Sequence, residues 1–72
     1  MKVWLHRREN PSDAWDNSKM DVEFERLPNI NECFALNSDE LYKVLLVVTN
    51  NFPHANDRYE IYAERTKLEN LL

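Results

Sequence analysis

LYKVLLVVT, residues 41–49, is the longest apolar run of the chain, and its reading decides the fold. Val44, Val47, Val48 and Thr49 are β-branched, and their restricted χ1 angles suit a pleated strand better than a helix. The competing reading is an α+β domain with a helix over residues 39–48, capped by Ser38-Asp39-Glu40; the valine cluster weighs against it. The run is therefore read as a central strand, although it is apolar on both parities. One parity carries Tyr42, Val44, Leu46 and Val48. The other carries Leu41, Leu45 and Val47, with Lys43 the single charge. A sheet with one wet face does not leave Leu45 and Val47 in water. Three coverings stay open: the strand bends between two layers of a barrel, the chain's own Trp15 or Leu68/Leu71/Leu72 tail lies over it, or another chain does.

Outward from this run, residues 2–8 (KVWLHRR) set Val3 and Leu5 against Trp4, His6 and Arg8, a period of two that predicts a first strand. Residues 20–27 (MDVEFERL) put Met20, Val22 and Phe24 on one side and Asp21, Glu23 and Glu25 on the other, ending at Pro28. Residues 30–36 (INECFAL) predict a third strand and residues 58–64 (RYEIYAE) a fifth. Residues 9–19 are a polar connection, with a helical turn expected around Pro11 to Trp15. Residues 37–40 have hairpin-turn chemistry. Residues 50–57 are a loop, with Phe52 expected to fold back as a plug. Thr66 to Glu69 fits a capping box that opens a short C-terminal helical turn. The expected architecture is all-β: a small antiparallel five-stranded meander curled into an SH3-like barrel. The expected core is Val3, Leu5, Val22, Phe24, Ile30, Phe34, Val44, Leu46, Val48 and Ile61.

Seventy-two residues make one domain, 1–72. A 43% hydrophobic and 31% charged composition suits a water-facing surface around one core. No apolar run approaches the roughly 18 residues of a membrane span, and MKVWLHRREN lacks a signal-peptide apolar segment. A single cysteine, Cys33, forms no internal disulfide, so a cytoplasmic protein is expected. The net charge is −4, and the stretch 11–41 alone carries −6. Such a chain lacks the basic stripe of a general nucleic-acid binder. Glycine is absent, while asparagine occurs nine times. Asn tolerates positive φ better than most residues, so Asn31, Asn37 and the Asn50-Asn51 pair are expected to replace turn glycines.

One resemblance runs over residues 20–64. Leu27-Pro28, Ile30 and Glu32 are followed by Leu36, Ser38-Asp39-Glu40, Tyr42 and Val44, then by Val47-Val48 and by Glu60-Ile61-Tyr62-Ala63. In this order they resemble small uncharacterised bacterial proteins of SH3-like β-barrel type. Where such barrels place a glycine in a tight turn, this chain offers Asn31 and Asn37. The resemblance implies a fold and carries no activity, cofactor or catalytic residue with it.

Without glycine there is no phosphate-binding loop and no nucleophile elbow. Cys33, His6 and His54 lack zinc-ligand spacing, and Cys33 reads as a small core residue. No enzyme, cofactor or metal site is therefore expected. Trp4 and Tyr62 fall opposite the core residues of their own strands. If the first and fifth strands are neighbours, they form a platform beside His6, Arg8 and Arg65. Trp4, His6, Arg8 and Tyr62 are accordingly the candidate partner-binding residues. The alternative places Trp4 and Tyr62 over Leu45 and Val47 in a second small core. The expected function is a non-catalytic protein-interaction module acting through a sheet edge or this face. The alternative function is a single-stranded nucleic-acid-binding small β-barrel using Trp4, Tyr62, His6, Arg7 and Arg8. A monomer or a weak homodimer is expected, the dimer burying Trp4, Leu45, Val47 and Tyr62 against a second copy.

Overall fold

The computed structural model describes residues 1–16, 19–55 and 59–70. Five strands form a single sheet: β1 (Lys2–Arg8), β2 (Met20–Glu23), β3 (Cys33–Asn37), β4 (Glu40–Thr49) and β5 (Tyr59–Thr66). A 3₁₀ turn, Leu68–Asn70, follows β5. The long apolar run is a strand, and the helical alternative for residues 39–48 is overturned. The expected start of the fifth strand at Arg58, and Leu71 and Leu72 of the tail, lie outside the described residues.

The strand order is β2-β1-β5-β4-β3. Three neighbouring pairs are antiparallel, whereas β1 and β5 run parallel, Leu5 opposite Ile61 and His6 opposite Tyr62. The sheet is thus mixed, which corrects the expected antiparallel meander. Burial explains the order. β1 and β5 each present a fully buried inward pair, Val3 with Leu5 and Ile61 with Ala63. They take the interior of the sheet although they lie at opposite ends of the chain. β2, with Asp21 and Glu23 exposed, takes an edge.

The sheet curls into a half-barrel. Phe24, just beyond the β2 edge strand, packs edge-on against Phe34 of the opposite edge strand β3, ring centroids 5.1 Å apart. Phe34 in turn stacks on Tyr42 at 5.9 Å. Val3, Leu5, Tyr42, Val44, Ile61 and Ala63 fill the concave face, and Met20, Val22, Leu27, Leu36, Val47 and Tyr59 pack against them.

The double apolarity of β4 has a local cause. Val44 stands opposite Ala63 and Leu46 opposite Tyr62, so Leu45 is an extra residue and the strand carries a β-bulge. The bulge exchanges the two parities. Tyr42 and Val44 point into the core, but beyond Leu45 it is Val47 that does so. Leu46 turns outward and is 49% exposed, and Val48 is half-buried on the same outer face. Leu46 and Val48 are thereby removed from the expected core.

Ile30 is also exposed, whereas Tyr42 and Ala63 are buried. Phe52 is 61% exposed and is no plug. Cys33 is half-buried in edge strand β3, opposite Lys43, and does not belong to the core cluster.

Turn chemistry follows the absence of glycine in part. Asn31 has φ 73°, as expected, within a turn closed by a 3.0 Å bond from Glu32 N–H to Asn29 O. Asn37 acts differently: its Oδ1 accepts from Asp39 N–H at 2.8 Å, an Asx turn that shapes the Ser38-Asp39 hairpin loop. Among the described residues the other left-handed one is His54, φ 71°, and the Asn50-Asn51 pair does not take positive φ. Around Pro11 the chain forms a turn, Asp13 N–H to Asn10 O at 3.0 Å, and not a helix. Of the tail, Leu68 is exposed, and Thr66, the expected cap, belongs to β5.

Candidate functional site

The strands β1 and β5 align their outward residues because they are parallel neighbours in register. Trp4 stands beside Glu60, His6 beside Tyr62 and Arg8 beside Glu64. All four candidate residues, Trp4, His6, Arg8 and Tyr62, therefore share the outer face of the half-barrel. His6 and Tyr62 stack nearly parallel, 4.3 Å between ring centroids.

This face carries its own layer of contacts. The connection after β1 returns along that strand, and Asp16 N–H bonds to Arg7 O at 2.9 Å. That bond sets Trp15 over the face. Its ring meets Tyr62 edge-on at 5.1 Å, and the Arg8 guanidinium lies 4.4 Å from its centroid. Arg8 is also fixed by Glu64 through two nitrogens, at 3.0 and 2.9 Å. His6 is buried, and its Nε2–H donates to Glu60 at 2.8 Å. Trp15 is thus the covering segment anticipated for the second face, although it covers Tyr62 on β5 and not Val47, which has turned inward.

Glu60 is the hub of the face. Its Oε1 accepts from His6, and its Oε2 accepts from Asn50 Nδ2 at 3.0 Å. The hydrogen bonds from Asn50 and His6, in that order of weight, hold its carboxyl below the ordinary 4.5, against the opposing effect of burial. Lys19 brings a third contact. Its Nζ lies 3.8 Å from Glu60 Oε1 and 3.9 Å above the Trp4 ring. Trp4, Lys19, Asn50, Phe52, His54 and Glu60 line a cavity of about 370 Å3 at this end of the face. Sequence reasoning missed Glu60 and Lys19. The register of β1 against β5 would have found Glu60; no local signal points to Lys19.

A second polar cluster closes the end of the concave face. Tyr42 O–H donates to Glu40 at 3.0 Å, and the Arg7 guanidinium stands 3.7 Å from the same carboxylate oxygen. Asn37 and Tyr42 hold the Glu40 carboxyl below its ordinary value. Burial, followed by the bond to Glu40, pushes the Tyr42 phenol up. Arg65 reaches across to Asp39 O at 3.0 Å and so ties β5 to the hairpin loop. Arg7 and Arg65, read beside the platform, thus face a different surface from Trp4, His6, Arg8 and Tyr62.

Among the described residues, no three His, Cys, Asp or Glu side chains converge to hold a metal ion. No helix of the described residues is long and apolar enough to cross a membrane. Compared with known proteins, the chain matches no family model, no curated protein and no solved structure.

Proposed function

We propose that this chain is a non-catalytic protein-interaction module that meets its partner with the outer face of its sheet. One observation carries the reading: the outer face holds a preorganised aromatic layer of Trp4, His6, Tyr62 and Trp15, bordered by Leu46 at 49% exposure. Aromatic residues with arginine beside them dominate the energetics of protein interfaces, and rigid rings lose little entropy on binding. The SH3-like likeness supports only the small-barrel scaffold of this reading.

Charge argues against the nucleic-acid alternative. Arg8 and Lys19, the cations beside the aromatic rings, and the His6 imidazole each lie within 4 Å of Glu60 or Glu64. A phosphate would have to displace those carboxylates, and the net charge of −4 adds repulsion.

The test is affinity capture from the source cells with the full chain and with Leu46→Glu and Lys67→Glu. A protein partner retained by Lys67→Glu, lost by Leu46→Glu and insensitive to moderate salt is the expected result. Capture of nucleic acid that falls steeply with salt, or capture indifferent to Leu46→Glu, overturns the reading.

A further inference from the structure

We propose that the cavity between Trp4, Phe52 and Glu60 receives a lysine side chain of a partner protein, and that Lys19 is the chain's own occupant of that site before binding. The inference rests on the interaction-module reading and gives it a recognition chemistry.

Lys19 shows what the site accepts. Its ammonium is centred over the π face of Trp4 at 3.9 Å, with the Glu60 carboxylate on its flank. An aromatic face with a carboxylate beside it is a cation site in both of its components. Yet Lys19 is loosely held. The 3.8 Å separation from Glu60 exceeds hydrogen-bond length, and its side chain remains 44% exposed. The carboxylate, in contrast, is firmly set. It is only 17% exposed, and both oxygens are oriented, one by His6 and one by Asn50. Asp21, opposite Trp4 across the β1–β2 pair, adds a second negative group on the same face.

The cavity is larger than one ammonium group requires, at about 370 Å3. Phe52, 61% exposed on its wall, offers an apolar surface for the methylene stem of an entering side chain. His6 and Asn50 engage one Glu60 oxygen each, and a carboxylate oxygen has a second acceptor site for an entering ammonium group. The stretch 11–41, net −6 and including Asp21, supplies a field that attracts a basic segment.

The experiment titrates the full chain with acetylated pentalysine amide and follows the two indole N–H signals and the backbone amides by NMR. Binding is expected to move the Trp4 indole and the Phe52 and Ala55 amides saturably, leaving Leu5 and Ile61 unmoved. Lys19→Ala is expected to bind at least threefold more tightly than the parent chain. Lys67→Ala, an equal change of charge elsewhere, is expected to leave affinity within twofold. In the Lys19→Ala background, Trp4→Leu or Glu60→Gln is expected to lower affinity at least tenfold, with the Leu5 and Ile61 signals certifying the fold. Equal gains from Lys19→Ala and Lys67→Ala, or shifts away from Trp4, overturn the proposal. If the captured partner survives Trp4→Leu but not Leu46→Glu, the lysine site falls while the interaction-module reading stands.

Discussion

Glu60 has more contacts than its place in an alternating strand suggests. His6, Asn50 and Lys19 all converge on its carboxylate, which sits lower in pKa than an unperturbed glutamate at 4.5. A carboxyl whose folded value lies below its unfolded value contributes stability that is complete above the unfolded value. That contribution disappears as the pH falls through the folded value. Urea denaturation between pH 7 and pH 3 is therefore expected to show stability falling below about pH 4.5. Glu60→Gln is expected to cost about 1–2 kcal/mol at pH 7. It should also flatten the acid limb, leaving the slopes due to Glu32, held down by Arg26, and Glu40, held down by Asn37. An acid limb identical in the variant would show that the network around Glu60 does not tune it. The four outward residues of this face were legible from parity alone, because Trp4, His6, Arg8 and Tyr62 each sit opposite core positions. Glu60 was not. Its importance comes from neighbours 10 and 54 residues away along the chain, and a single sequence carries no record of those contacts.

At the scale of the element, the bulge at Leu45 decides what β4 can do. One inserted residue lets a strand apolar on both parities serve two surfaces: Tyr42, Val44 and Val47 in the core, Leu46 and Val48 outside. Alternation could not locate it, since a run with hydrophobic residues at every position from 44 to 48 reads the same in either register. The usual glycine signal is also missing. By comparison β1 and β5 were legible to within a residue or two, because charged and aromatic residues break their patterns cleanly. The bulge makes an asymmetric prediction. Val47→Ser is expected to destabilise the domain by about 1–3 kcal/mol, through loss of packing and burial of a hydroxyl. Leu46→Ser, one residue earlier, is expected to stay within about 0.5 kcal/mol. Midpoints of chemical denaturation at constant slope measure both, and the reverse ranking would place the bulge elsewhere.

For the whole molecule, the question is what keeps an open five-stranded sheet curled. The parallel β1–β5 pair joins the two ends of the chain. Its formation closes a loop of more than fifty residues, an entropic cost that local hairpins do not carry. No local pattern announces such a pairing, which is why a meander is the natural reading of five short strands. Once formed, it leaves β2 and β3 as the two edges. The contact that draws those edges toward each other is Phe24 against Phe34, at 5.1 Å and nearly perpendicular, backed by Phe34 on Tyr42. In a flat sheet Phe24 and Phe34, belonging to opposite edges, would be energetically independent. In the half-barrel they are coupled. A double-mutant cycle of Phe24→Leu and Phe34→Leu is expected to return a coupling energy of about 0.5–1.5 kcal/mol, the range for edge-to-face aromatic pairs. The same cycle between Phe24 and Leu46, which points out of the opposite face, is expected to return additivity within about 0.3–0.5 kcal/mol. Additivity in the first cycle would mean that the edges do not meet in solution. The concave face would then open, and the core of Val3, Leu5, Val44 and Ile61 would lack the aromatic closure that shields it from water.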